Sequence, residues 1–311
     1  MGVLELTVPV MQAPLGGCAT PQLVSAVSQV GGLGTLAASW TEPDVLRELI
    51  RSITRATERA FCVNLVLEFE QDERLEVVVE ERAPIISFSF GLHPQLIARA
   101  RALGARVLVQ VGSVDAARAA AAAGADALIV QGVEAGGHVQ SVVGLLPLLA
   151  EVRRAVSLPV LAAGGIGDPA SARAALAAGA EAVVMGTRFV ASDESDAHPL
   201  YKTCLLEAES RDAVLTGLFD VGWADCPHRV LRNSTYERWA AAGNPPHGAR
   251  PGEGEEVAAG MPRYASNPPL AGIDGDIEAM AMYAGQSVGA VTAVEPTAAI
   301  VERFATALRA D

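Results

Sequence analysis

Short, continuously apolar runs alternate with longer amphipathic segments through the first two thirds of the chain. The runs fall at residues 8–13 (VPVMQA), 34–38 (GTLAA), 61–66 (FCVNLV), 85–90 (IISFSF), 106–111 (RVLVQV), 127–131 (ALIVQ), 159–164 (PVLAAG) and 182–186 (AVVMG). Each is apolar at successive positions rather than at every second one, which is the pattern of parallel strands buried on both faces. The segments between them follow a helical period: in residues 44–56, Val45, Leu46, Leu49, Ile50 and Ile53 share one face and arginines take the other. Residues 113–126 open on Ser113 as N-cap and close on Gly124, and residues 167–181 open on Asp168 with Pro169 at the first helical position. AAGADALIV and AAGAEAVVM repeat one helix-end-to-strand unit. Eight strands, each followed by a helix, predict an α/β fold of the (β/α)8 TIM-barrel type. An open, doubly wound sheet is the competing arrangement.

The texture changes after residue 190. Residues 198–239 read as helical, with segments at 201–209 and 234–242, and residues 243–276 crowd Gly and Pro together without periodicity. A stretch of that kind in a compact protein reads as a lid, a binding loop or disorder. The expected organisation is a barrel of residues 1–190 completed by 276–311, with 191–275 as a smaller, mainly helical and loop insert over its mouth. A capped helix at 295–308 is expected to pack back on the barrel.

Charge and cysteine usage narrow the partners. Thirty-six acids against 23 bases give a net charge of −13, which disfavours nucleic acid and anionic lipid surfaces. Lys202 is the only lysine, which removes most Schiff-base mechanisms. Cys18, Cys62, Cys204 and Cys226 lie far apart with no CxxC pair, so a reduced, cytoplasmic protein without a metal site is expected. No signal peptide or membrane span is expected either.

In a barrel of this kind chemistry gathers at the C-terminal ends of the strands. Those positions hold small or neutral polar residues, with no carboxylate pair and no metal-spaced cluster, so the hard chemistry is left to a cofactor. The glycine-rich turn AAGGIGD (162–168) runs into a helix start, and MGTRF (185–189) ends the last strand; loops seven and eight of this fold often hold a phosphate. His138 follows the pair Gly136–Gly137 just past the sixth strand. Its imidazole changes charge near neutral pH and fits either a proton acceptor or an anion stabiliser. Glu134 reads as a structural partner of a backbone amide or an arginine, and Arg229 and Asn233 read as clamps holding the insert to the barrel. His93 reads as a helix-start residue, and His198, His228 and His247 as surface or structural.

PVMQAPLGG, VNL, QGVEAGGH, AAGGI, MGTRF and a late AGQSVGAV occur in this order. Together they resemble the nitronate monooxygenase family, also called 2-nitropropane dioxygenases, over nearly the whole chain. The resemblance implies an FMN-dependent (β/α)8 barrel with a small second domain. It places the backbone of Ala13, Pro14 and Leu15 against the flavin, Asn64 and Gln110 on its ring or ribityl chain, and Gln131 and Gly136 along its border. Gly165, Met185, Gly186 and Thr187 would hold the phosphate, and Gln286 and Ser287 would return to the flavin edge. His138 matches the family's active-site histidine.

The implied reaction is oxidation of an alkyl nitronate, or a related small carbanion, by O2 to a carbonyl compound and nitrite, in a chain that is a possible homodimer. Two other readings stay open. One is an FMN-dependent NAD(P)H reductase of the enoyl-acyl-carrier-protein or quinone type, or a flavin tailoring enzyme of secondary metabolism. The other is a flavin-free phosphate-binding barrel.

Overall fold

The computed structural model describes Leu4 and residues 6–309. The first nine strands are β1 (Val10–Gln12), β2 (Thr35–Ala37), β3 (Cys62–Val66), β4 (Ile85–Ser89), β5 (Arg106–Val111), β6 (Ala127–Gln131), β7 (Gly137–His138), β8 (Val160–Ala163) and β9 (Ala182–Met185). All but β7 join one parallel sheet in the order β1-β9-β8-β6-β5-β4-β3-β2. The two ends of that order meet. Leu33 donates to the Val10 carbonyl and accepts from the Gln12 amide, both at 2.9 Å, and the Gln12 side-chain carbonyl accepts from Thr35 N–H at 2.8 Å. A buried glutamine thus completes the ladder between β1 and β2, and the sheet is a closed barrel rather than an open one.

Alternation along each strand divides two cores. On β9, Ala182 and Val184 point into the barrel with Met11, Leu33, Ile85, Leu108 and Leu161. Val183 and Met185 point outward into the larger layer between strands and helices. The predicted caps are present: Ser113 Oγ accepts from Ala116 N–H, and Asp168 Oδ1 accepts from Ser171 N–H in a capping box.

The insert holds helices Pro199–Glu207 and Ser234–Ala241, strands β10 (Ala213–Thr216) and β11 (His228–Leu231), and the short pair β12 (Glu256–Ala258) and β13 (Met261–Pro262). α-Helix is therefore found at the two ends of residues 198–239, with only a 3-10 turn at Ser210–Asp212 between them. The short β-branched runs AVLT and HRVL pair antiparallel instead. Their outer edge takes up β7, so that His228 stands opposite His138 and Arg229 opposite Gly137. A barrel loop and the insert thus share one three-stranded sheet. Met282, Ala284, Val288 and Val291 pack with Tyr201, Leu205 and Leu231 of the insert. The closing helix Thr297–Arg309 packs on the barrel helices Pro21–Gln29 and Pro169–Ala177.

Candidate active site

A cavity of about 560 Å³ opens at the C-terminal ends of the barrel strands, roofed by the insert and the 283–287 segment. Ala13, Pro14, Leu15, Asn64, Gln110, Gln131, Gly136, His138, Gly165, Gly186, Thr187 and Ser287 all line it. Two of the expected residues do not. Met185 lies on the outward phase of β9 and is buried against the helices, while its carbonyl accepts from Ala13 N–H at 2.9 Å. Gln286 is exposed, and only its backbone N–H is engaged, by the Glu134 carbonyl at 3.0 Å.

Several lining side chains are already committed to protein partners. Asn64 Nδ2 donates to Ser87 Oγ at 3.0 Å, and Gln110 Nε2 to Gln140 Oε1 at 2.9 Å. The Gln131 amide pins the loop that carries the histidine: Nε2 donates to the His138 carbonyl at 3.1 Å and Oε1 accepts from Gln140 N–H at 2.9 Å. Thr187 Oγ1 accepts from Gly285 N–H at 2.9 Å, tying the end of β9 to the late AGQSV segment.

The glycines before the histidine have separate reasons. A Cβ at Gly136 would lie 2.4 Å from Gly285 N, so the bare backbone there lets the 284–285 segment pass. Gly137 has open space around it but a φ of +72°, the left-handed region that costs an L side chain energy.

His138 is clamped by rings. It stacks on Trp223 at 3.9 Å between centroids and 23° between planes, with His228 at 5.2 Å and Tyr283 at 5.5 Å. Its Nε2 is buried and has no hydrogen-bond partner. Burial, followed by the neighbouring His228, pushes its pKa down to about 3, so the ring is neutral at physiological pH. In the native protein an orphan of this kind costs about 1–3 kcal/mol, which points to a ligand as its partner.

A family model described as nitronate monooxygenase matches residues 1–73 and 66–306. The chain belongs to the nitronate monooxygenase family. It is 35% identical over 292 residues to a nitronate monooxygenase of Pseudomonas aeruginosa, covering 78% of this chain and 82% of that one. It is also 38% identical over 233 residues to the Mycobacterium tuberculosis (3aS,4S,5R,7aS)-5-hydroxy-7a-methyl-1-oxo-octahydro-1H-indene-4-carboxyl-CoA dehydrogenase, covering 74% of this chain but 64% of that protein's length. Among solved structures, FabK from Thermotoga maritima superposes with a TM-score of 0.86 at 36% identity, covering 98% of this chain and 94% of that one. The nitroalkane oxidase of Streptomyces ansochromogenes gives 0.81 at 33% identity, covering 98% and 96%. The family is one of flavin-dependent oxidoreductases, and this chain is an enzyme of that class.

A flavin fits the lining that this member of the nitronate monooxygenase family presents. The floor is neutral amides and bare backbone, with Gly164 and Gly165 at φ of +105° and +70°. Ser287 sits over the seventh loop, its Cβ 2.9 Å from where a Cβ on Gly167 would be, so two loops and the late segment converge at one end. The helix after that loop is not a free anion site, because the Asp168 carboxylate already caps it. That leaves the Gly164–Gly165 and Gly186–Thr187 backbone and the Ser287 hydroxyl to take a phosphate.

The rings that shape the site lie outside the sequence motifs. Trp223, Trp40, Phe90 and Tyr283 all line the cavity. Trp223 sits in the polar loop DVGWADCP, the one signal the sequence carries, whereas the φ of +54° at Phe90, rare for an aromatic residue, is visible only in the structure. Glu134 accepts from Leu145 N–H at 3.0 Å, capping a helix. Arg229 does join insert to barrel, donating to the Ala213 and Val133 carbonyls at 2.9 and 2.7 Å. Asn233 does so as well, donating to the Met280 carbonyl of the 276–311 segment at 2.8 Å while its side-chain carbonyl caps the Ser234–Ala241 helix.

Proposed function

We propose that this protein binds FMN in the barrel-mouth cavity and oxidises alkyl nitronates with O2 to a carbonyl compound and nitrite. FMN, when bound, supplies the electron acceptor for the substrate and passes the electrons to oxygen. Its phosphate would rest on Gly165, Gly186, Thr187 and Ser287, with Asn64, Gln110, Gln131 and Gly136 along the rest of the group. Residues 191–275 act as the cover of the cavity, excluding water.

The observation that carries the reading is His138, an uncharged imidazole whose buried Nε2 has no protein partner, in the wall of a cavity otherwise lined by neutral groups. A general base works best with a pKa near the working pH, and His138 lies well below it. The ring therefore suits a substrate that arrives already deprotonated, and it donates a hydrogen bond to a nitronate oxygen rather than removing a carbon-bound proton. That favours nitronates over neutral nitroalkanes.

A second reading draws support from the FabK structure and the CoA-ester dehydrogenase relative: a reductase that uses NAD(P)H on the same flavin. One experiment separates them. The protein loaded with FMN is mixed without oxygen, first with a nitronate and then with NADH or NADPH. Loss of the flavin absorbance with nitronate alone is the expected result. Bleaching by the nicotinamide with no response to saturating nitronate would select the reductase.

A further inference from the structure

Among the described residues lining the cavity there is no Asp, Glu, Lys or Arg. Four cations near its walls are engaged with other protein groups. Arg188 donates to the Ala191 and Ala293 carbonyls, Arg229 to Ala213 and Val133, and Lys202 to the Ser192 and Ser195 carbonyls. Arg250 is paired with Asp220 at 2.6 Å. A carboxylate entering this cavity would lose its water and gain no cationic partner, a penalty on the order of a hundredfold or more in affinity.

The outer wall is aromatic. Trp223 meets Phe90 at 4.8 Å, Phe69 at 5.4 Å and Trp40 at 5.7 Å between centroids, all at steep angles. Trp223 is buried, yet Trp40 keeps 52% of its surface open beside the cavity. Core packing explains the first and not the second. An indole left half-bare at a cavity mouth offers apolar area to whatever enters.

We propose that the substrate is a nitronate with an uncharged, apolar carbon skeleton, lying along Trp40, Phe90 and Trp223 with its nitronate group toward His138, and that carboxylate-bearing nitronates are rejected. The nitronate group rests on the reading above; the apolar skeleton rests on the lining alone. Each added methylene that reaches the wall is expected to raise affinity roughly two- to fourfold.

The test uses a matched pair of ligands, phenylnitromethane and 4-(nitromethyl)benzoate, which differ by one carboxylate. Two of the protein's three tryptophans are in the wall, so quenching of tryptophan fluorescence in the FMN-loaded protein reports binding without turnover. In their neutral nitro forms, phenylnitromethane is expected to bind at least about thirtyfold more tightly, and the gap is expected to persist in roughly 0.5 M salt, where long-range repulsion from the acidic protein is screened. Equal or tighter binding of the carboxylate, or a gap that closes in salt, overturns the proposal. In Trp40→Ala, phenylnitromethane binding is expected to weaken about three- to tenfold; unchanged binding overturns the assignment of the wall. The nitronates of the same pair are then assayed for turnover. If the binding gap stands and neither nitronate is oxidised, the nitronate reading fails while the apolar-skeleton assignment survives.

Discussion

One register pair of the small antiparallel sheet sets two histidines side by side, one from the barrel loop and one from the insert. Their rings are 5.2 Å apart, and burial lowers the pKa of both. His228 is satisfied at both nitrogens: Nε2 accepts from Phe219 N–H at 3.1 Å, which fixes the proton on Nδ1, and Nδ1 faces the Cys226 carbonyl at 3.0 Å. His138 has no partner for its Nε2 and borders the cavity. The same residue type, in nearly the same surroundings, is structural where the backbone meets it and open to a ligand where the backbone does not. Burial alone does not mark a functional histidine; the missing partner does.

That contrast can be broken from either side. His228→Leu strands a buried amide and a buried carbonyl and is expected to destabilise the protein by about 2–4 kcal/mol, read as a fall in Tm. His138→Gln, which removes no protein–protein hydrogen bond, is expected to leave Tm within a few degrees. Its effect falls on activity: kcat/KM for a nitronate should drop tenfold to 150-fold, roughly the 1.5–3 kcal/mol of a hydrogen bond to a charged group. A large Tm loss in His138→Gln with activity intact would reverse the two roles.

The glycines that carry His138 sharpen the same comparison. Gly136→Ala drives a methyl into Gly285 N and is expected to cost about 1–3 kcal/mol and to weaken FMN retention, because the 284–287 segment must shift. Gly137→Ala meets nothing and pays only for its positive φ, about 1 kcal/mol. Chemical denaturation of the two variants checks the order.

Acid provides the gentlest probe. Burial holds the pKa of both histidines below the usual 6.5, so as the pH falls the unfolded chain binds protons that the native protein resists. Stability is then fully present above about pH 6.5 and declines as the pH falls from there toward His138's folded value of about 3. One pH unit below the unfolded value, His138 accounts for roughly 1.4 kcal/mol. His138→Gln should make the pH 7.5 to 5.5 loss of stability shallower, whereas a parallel curve would mean that His138 is not held neutral.

The barrel was legible because eight continuous apolar runs and their capped helices admit few other solutions. The strand ends from Ala13 to Thr187 pointed to one face for the same reason. Met185 was placed wrongly because the resemblance marks a position and not the phase of a strand, and the phase turns its side chain outward. Strands β10 and β11 were missed because AVLT and HRVL are too short to show a period. Gly136 borders the cavity as expected, but the neighbour that demands a glycine there is Gly285, about 150 residues later in the chain. The stacking of Trp223 on His138 depends on the same long-range pairing of insert and barrel loop, which no local pattern encodes.

The central claim is that His138 is an uncharged ring with an unpartnered buried nitrogen at the mouth of the barrel. With only five histidines in the chain, NMR of the labelled imidazoles, assigned with His138→Gln, tests it directly. The account predicts that the His138 ring in the folded protein remains neutral from pH 8 down to about 5. A His138 resonance that moves to its protonated position between about pH 7 and 6 would contradict it.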